Sequence, residues 1–338
     1  MPSIFLKQTV QDGLVAFISH LGDFNLNVSR GNWSSTSWDL MQDWRTIVKQ
    51  PFHKALRKFA FQDGTLRDLN ALDCRETPGF VNKKGETKGK ASGQQRLQHD
   101  AERLADLQEL LFANAQAADL RRSVLLILQG MDTSGKGSTI THVVGSMNPQ
   151  GVRQVGFKEP TKDEQQHDFL WRIRRELPKH GEIGVFDRSH YEDVLVHRVE
   201  ELTPPSRLER RYGSIRQFEK ELAGNGTLVL KVMLHISPEE QYERLSKRLD
   251  NPEKHWKFKP SDIAARQKWD EYMEAHQLAI EETDKPEAPW FVIPADRKWY
   301  ARLAVQQLLI EALESLDLTW PKATFDFDEQ RQRLDESR

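Results

Sequence analysis

The chain has 338 residues, 38% of them hydrophobic, which suits one large α/β domain with appendages better than two full-sized independent domains. Its 49 basic and 51 acidic side chains nearly cancel to a formal charge of −2, so a polyanionic partner has to be met by local basic clusters and not by the field of the whole molecule. Cys74 is the only cysteine, which excludes an internal disulfide framework and a cysteine-rich zinc site and fits a reducing, cytoplasmic setting.

Lys7, Gln8, Gln11 and Asp12 interrupt the apolar residues of 4–24, no cationic leader precedes them, and no apolar stretch of membrane length occurs. Neither a signal peptide nor a membrane partner is expected. Residues 1–60 are rich in Ser, Asn, Asp and Trp over most of their length, with no sustained period, and read as an N-terminal appendage. Between Glu76 and Gln95, a Pro78-Gly79 turn leads into Asn82, Lys83, Lys84, Gly85, Lys88, Gly89 and Lys90, a mobile basic connector that is either a solvated linker or a polyanion contact.

From Gln95 the pattern becomes helical, with Leu104, Leu107 and Leu111 on one face. Strands are then expected at 124–128, 155–157, 183–186, 228–236 and 290–293. The intervening helices run through Val144, centre on Phe169, Leu170, Ile173 and Leu177, cover Tyr212 and Leu222, and open at Ser237-Pro238-Glu239-Glu240, which combines an N-cap, a first-turn Pro and a capping-box Glu. A helix over 262–282 and an amphipathic helix over 299–316 complete the pattern. Five strands joined by helical crossovers predict a mostly parallel sheet covered on both faces. The domain is expected at 61–320, followed by a polar tail at 321–338.

Gly130-Met131-Asp132-Thr133-Ser134-Gly135-Lys136 fits G-x-x-x-x-G-K between an apolar strand and a helix, the context a phosphate loop requires. Gly130 and Gly135 let the backbone curl so that N–H groups, including those of Thr133 and Ser134, point at phosphate oxygens, while the helix start and Lys136 add positive charge. Gly137 follows the Lys where such loops carry Ser or Thr for magnesium, so the metal has to rely on other oxygens. Asp132 inside the loop is the candidate, since a carboxylate aimed at phosphates makes sense with a cation between them. The strand at 183–186 runs into Asp187 and Arg188 at the carboxyl edge of the sheet, where parallel α/β folds bind ligands. Arg188 is placed to neutralise a transferring phosphoryl group, although an Asp-Arg-Ser triplet at a strand end also serves as a helix cap.

Arg244, Lys247, Arg248, Lys254, Lys257 and Lys259 are opposed only by Asp250 and Glu253. Arg244 and Arg248 are four apart and share a helical face. In P-loop kinases a mobile lid lies in this part of the chain, here about 244–262, and the interleaved Trp256 and Phe258 favour a lid over a solvated loop. Single-stranded nucleic acid uses the same mixture, so the segment alone does not identify the polyanion. His167, His190 and His197 share no metal-ligand spacing, and Trp171 and Trp269 sit on helices where a core role is the default.

Taken together, Glu76-Thr77-Pro78-Gly79-Phe80, the Gly130–Gly137 loop, Asn148-Pro149-Gln150-Gly151, Phe157-Lys158-Glu159-Pro160-Thr161, Phe186-Asp187-Arg188-Ser189-His190-Tyr191-Glu192-Asp193 and Trp256-Lys257-Phe258 resemble the polyphosphate kinase 2 family from about residue 66 to 316. The resemblance implies a thymidylate-kinase-like P-loop fold, Mg2+ or Mn2+ bridging polyphosphate and nucleotide, and homo-oligomers, dimer or tetramer. Its implied partners are inorganic polyphosphate and AMP, ADP or ATP, with no nucleic acid. By position, Asp132 and Asp187 are similar to the family's metal-linked catalytic carboxylates and Lys136 and Arg188 to its phosphate binders. Arg244 and Arg248, with Lys257 and Lys259 of the lid, match cations on the polyphosphate path, and Lys158 matches a basic position near the phosphates. The run from Ser189 to Asp193 resembles the subgroup accepting both AMP and ADP. Members of that subgroup also carry Asn where this chain has Asp187, so its charge bears on the acceptor.

The expected reaction is direct, metal-assisted, in-line transfer of the terminal phosphoryl group of polyphosphate to AMP or ADP, reversibly and without a covalent protein intermediate. Two alternatives stay open on the residues alone: an ATP-dependent kinase of nucleotides or small metabolites, and a non-catalytic polyanion or nucleic-acid binder.

Overall fold

In the computed structural model the described residues are Thr46 and 49–338 except positions 83 and 87. The segment before Thr46, most of the expected appendage, lies outside them. The strands are β1 (Phe61–Gln62), β2 (Thr65–Leu66), β3 (Ser123–Gln129), β4 (Val152–Gly156), β5 (Ile183–Asp187), β6 (Thr227–His235) and β7 (Trp290–Pro294). The main helices are α1 (Pro51–Ala60), α2 (Lys90–Ala117), α3 (Lys136–Val143), α4 (Trp171–Arg174), α5 (Glu192–Val199), α6 (Pro205–Gly224), α7 (Pro238–Leu249), α8 (Pro260–Gln267), α9 (Trp269–Thr283), α10 (Lys298–Glu314) and α11 (Phe327–Glu336).

β4, β5, β3, β6 and β7 pair in that order, every pair parallel, as the strand-helix rhythm predicts. Every residue of β3 is buried. Its alternate side chains enter opposite layers: Val124, Leu126 and Leu128 join a core with α2, α3 and α10, whereas Leu125 and Ile127 join one with α5, α6 and α9. The chain leaves β3 for the edge strand β4, returns through β5, and then crosses to β6 on the other side of β3. That reversal puts a crevice at the carboxyl end of β3, where open α/β sheets bind their ligands.

Several expectations need correcting. The stretch 1–60 does not stay outside the domain to its end, because α1 buries Phe52, Leu56 and Phe59 and docks beside β7 and α10. Those three residues have the i, i+4, i+7 spacing of a helix face, a short pattern that the unperiodic residues before it mask. Arg57 fixes the helix with a bidentate pair to Asp284, at 2.7 and 2.8 Å, and stacks over Phe61.

The connector before α2 is a turn closed by the Asn82 side chain, which accepts from the Lys84 and Glu86 N–H groups, and helix begins at Lys90. The crossover around Phe169 to Leu177 keeps only the single turn α4, ending ahead of Pro178, which cannot continue a helix. The helix over 262–282 is broken at Lys268 into α8 and α9. α10 is buried on nearly all sides rather than amphipathic, since it lies between α2, α3 and the sheet. The tail carries α11, which is capped by Asp326 and has no buried residue. No helix among the described residues is long and apolar enough to cross a membrane.

Burial of α10 brings a carboxylate inside. Glu311 accepts from the backbone N–H groups of Phe52 at 2.8 Å and His53 at 2.9 Å, capping the start of α1 from another element. Burial raises its carboxyl from an ordinary 4.5 to about 7, against the lowering effect of those two donors. A carboxyl raised on folding adds stability that is complete below its unfolded value and is lost as pH rises through its folded value. Glu311→Gln removes that titration. The melting temperature of the variant relative to wild type is therefore expected to climb between pH 4.5 and about 7 and to level off above that, and a constant difference would count against a raised Glu311.

Candidate active site

The loop joining β3 to α3 curls because two glycines take φ values that side chains disfavour, +136° at Gly130 and +113° at Gly135. A Cβ on Gly130 would lie 2.5 Å from the Leu234 carbonyl oxygen of β6, so backbone and strand together demand glycine there. Gly137 is different: a Cβ there meets nothing within 4 Å, and no steric need fixes glycine at that position. Ser138, the nearest hydroxyl after the Lys, is occupied by Arg302 of α10 at 2.6 Å.

Lys136 is buried and turned back into the curl, donating to the Gly130 carbonyl at 2.6 Å and the Met131 carbonyl at 3.3 Å. Inside the same loop, the Thr133 and Ser134 hydroxyls are buried without a hydrogen-bond partner. Orphaned hydroxyls in a cationic loop are what a bound phosphate would satisfy.

The parallel register sets Leu128 of β3 beside Asp187 of β5, so both strands release their chains at one edge. Arg188 follows with φ +65° and donates its N–H to the Leu128 carbonyl at 3.1 Å. From there its guanidinium reaches Asp132 Oδ1 at 2.8 Å. Thr133 is likewise left-handed, at φ +66°, so strained backbone flanks this contact on both loops.

The electrostatics are those of a crowded, half-enclosed cluster. Burial works to raise the Asp132 carboxyl, but Lys136, Arg188 and Arg248 hold it below the ordinary carboxylate range. Burial depresses the Lys136 ammonium below its ordinary value even though Asp132, Asp187 and Glu192 favour its charge. Burial also raises Glu192, in the first turn of α5, despite Arg188 and Lys136. Glu192 was quoted in the sequence without a role. With its amide nitrogen turned to donate, Gln129 at the end of β3 bonds Glu192 Oε1 at 3.0 Å and accepts from the Ser189 hydroxyl at 3.0 Å. The available signal was a carboxylate four residues after Arg188 at a helix start, which is easily read as an ordinary first-turn acid.

The structure thus gathers Gly130, Asp132, Thr133, Ser134, Gly135, Lys136, Asp187 and Arg188 around one edge. Arg248 joins at the rim, bonding Asp262 Oδ2 at 3.3 Å. Arg244 does not serve as a lid cation. It is buried, and all five of its N–H donors are engaged, by Glu240 and by the carbonyls of Thr133, Ser134, Ala295 and Asp296. Four-residue spacing correctly placed it over the loop but could not reveal that its donors face backbone.

Lys257 and Lys259 stay on an exposed stretch, where Lys257 lies over the Trp256 ring at 4.8 Å. Lys158 is exposed past β4 and offers its carbonyl to Arg172 at 2.8 Å. Only backbone ties two of these lysines to the rim, the Lys257 carbonyl accepting from Arg248 and the Lys259 N–H donating to Asp262, each at 3.4 Å. On the far wall, Tyr272 of α9 faces the cluster, its hydroxyl pushed up to about 12 by burial, then by Glu200, Glu192 and Asp132.

Comparison with known proteins agrees with this geometry. Residues 87–320 match the family model described as Polyphosphate kinase 2 (PPK2). The chain is 43% identical over 267 residues to the AMP/ADP-polyphosphate phosphotransferase of Meiothermus ruber, covering 79% of this chain and 96% of that protein. It is 41% identical over 280 residues to the ADP-polyphosphate phosphotransferase of Rhodopseudomonas palustris, covering 79% and 93%. It also superposes on the crystal structure of polyphosphate kinase 2 from Arthrobacter aurescens TC1 with a TM-score of 0.78 and 49% identity, over 82% of this chain and 95% of that one.

The Arg244 bonds make a direct prediction. Arg244→Ala strands four loop carbonyls and Glu240, and is expected to cost about 3 kcal/mol or more of unfolding free energy in urea titration. A variant within about 1 kcal/mol of wild type would show that Arg244 does not hold the loop.

Proposed function

The chain belongs to the polyphosphate kinase 2 family, and on that premise we propose that it moves the terminal phosphoryl group of inorganic polyphosphate to AMP or ADP, reversibly, by direct in-line transfer. The observation that carries the proposal is the phosphate loop itself: two buried hydroxyls without partners, on Thr133 and Ser134, enclosed by the cations Lys136 and Arg188. In this reading the loop N–H groups and Lys136 grip the terminal phosphate of the donor, and Arg188 lies over its equatorial oxygens. An acceptor phosphate oxygen forms the new P–O bond as the bridging P–O bond breaks, and the shortened chain leaves as an anion. The attacking oxygen is already ionised near neutral pH, so no side chain has to remove a proton, and positioning and charge carry the rate.

The residues present fit a hard divalent cation, Mg2+ or Mn2+. Asp132 and Asp187 are the carboxylates that would hold it, and Arg188 occupies only Oδ1 of Asp132. Among the described residues no group of three or more His, Cys, Asp or Glu side chains is placed to hold a metal ion, so water and substrate phosphate oxygens would have to complete its coordination. Held there, such an ion would supply positive charge to offset that of the phosphate oxygens. Glu192, half-buried and close enough to Arg188 to favour its charge, acts in this reading as a positioning residue for the guanidinium.

Acceptance of both AMP and ADP rests on the run from Ser189 to Asp193 and on the name of the Meiothermus ruber relative. The homo-oligomer and the cytoplasmic setting rest on the family resemblance and the single cysteine.

Incubation with long-chain polyphosphate, a divalent cation and AMP or ADP, in the absence of ATP, is expected to yield ADP and ATP. No new nucleotide phosphate would leave an ATP-dependent kinase standing. In the same assay Asp132→Asn is expected to lower kcat by about 100-fold or more, and near-wild-type kcat at saturating Mg2+ would remove Asp132 from the metal role.

A further inference from the structure

An open cleft of about 440 Å³ lies against the first half of α2, lined by Phe80, Lys88, Arg96, His99, Asp100 and Arg103 among others. Lys88 of that lining comes from the basic stretch that the phosphate site leaves unused, and the other cations come from α2. Arg96, His99 and Arg103 fall at i, i+3 and i+7 and form one stripe along the helix. Lys88 stands over the Phe80 ring, 5.3 Å from its centroid.

The floor is rigid and apolar. Phe80 is buried and packs edge-on against Trp299 at 5.8 Å, and a Cβ on Gly93 would meet that indole at 2.2 Å. The single acid of the named lining, Asp100, is 2% exposed and fully engaged by Arg96, His99 and Gln307. Arg103 also pairs with Glu314 of α10. The cationic heads remain in water, with Arg96 49% and Arg103 57% exposed, and Lys88 has no ion-pair partner among the described residues. Within the cleft's own lining an approaching ligand therefore meets exposed positive charge and one acid already engaged behind it.

The cleft is also correctly placed to serve the phosphate site. α2 ends just before β3 starts, so its first half lies toward the carboxyl edge of the sheet. Only α10 separates it from α3, the helix of the phosphate loop: Arg302 of α10 bonds Ser138 of α3, while Trp299 of α10 packs on Phe80. Two helix-packing distances put the cleft roughly 15–20 Å from α3.

We propose that this cleft is a second anionic subsite, which grips a remote stretch of a long polyphosphate chain while the end of that chain reacts at the phosphate loop. The inference rests on the polyphosphate reading above and extends it to a surface outside the reacting centre. A repeating stripe of exposed cations without a shape-selective enclosure suits a repeating linear anion better than a compact ligand. Each such contact is weak alone. For a donor long enough to reach both sites, however, the second contact is intramolecular and gains from effective concentration. Tripolyphosphate is too short to bridge them.

The test compares KM for long-chain polyphosphate and for tripolyphosphate, at low and high salt, in wild type, Lys88→Ala/Arg103→Ala and Lys88→Glu. The last variant reverses charge without disturbing the Arg103–Glu314 pair. The expected result is a rise of about five-fold or more in KM for the long chain, and a flatter salt dependence of that KM. The KM for tripolyphosphate, the KM for the nucleotide and kcat stay unchanged. An unchanged long-chain KM, or an equal rise for both donors, overturns the subsite while leaving the proposed function intact. A wild-type protein that transfers from neither donor overturns both.

Discussion

The contact on which the site depends is the 2.8 Å bond from Arg188 to Asp132, because it is the cross-link between two loops 56 residues apart in sequence. Neither loop could present its charge alone. Arg188 reaches Asp132 only because the β3–β5 register ends both strands at one edge and because its own backbone accepts a left-handed conformation. Strain of that kind costs about 1–3 kcal/mol per residue and persists where surrounding bonds over-determine it. Here the Leu128 carbonyl fixes the Arg188 N–H, and Arg244 fixes the Thr133 and Ser134 carbonyls from the other side. The phosphate loop is thus held from beneath by a buried arginine and from the front by a half-buried one.

A second buried network keeps the β5 loop in place. Lys231 of β6 is fully buried and donates to Glu219 at 2.6 Å, to the Tyr191 hydroxyl at 3.1 Å and to the Thr283 carbonyl at 2.8 Å. Tyr191, three residues after Arg188, donates in turn to Glu219 at 2.8 Å. Removing one partner would leave an uncompensated buried charge, at a cost of about 3–5 kcal/mol. The same arrangement explains the charge balance of the site, in which Lys136 and Arg188 face Asp132, Asp187 and Glu192. Its own residues carry no cationic excess for a polyanion, and this is the physical reason the proposed chemistry includes a divalent cation.

Much of this was legible in the sequence, and for identifiable reasons. Strands such as β3 and β6 are buried over their full length and mostly apolar because both faces are covered, and the phosphate loop is marked by glycines whose backbone angles side chains disfavour. Side-chain direction was not legible. Arg244 and Arg248 share a helical face, yet one is consumed by four loop carbonyls and Glu240 of its own helix and the other lies at the rim. Glu192 resembles any acid in a first helical turn until burial beside Arg188 distinguishes it. α1 was hidden by an unperiodic segment running into it, whereas α10 was legible as a helix and only its burial on nearly all sides was not.

The central claim is that Asp132 and Arg188 act as one unit in phosphoryl transfer, and a double-mutant cycle on kcat/KM tests it most directly. Asp132→Ala, Arg188→Ala and the double variant are measured with polyphosphate and ADP. The account predicts strong non-additivity, with the double variant little worse than the weaker single one. Losses that simply add would show the two side chains acting independently and would contradict it.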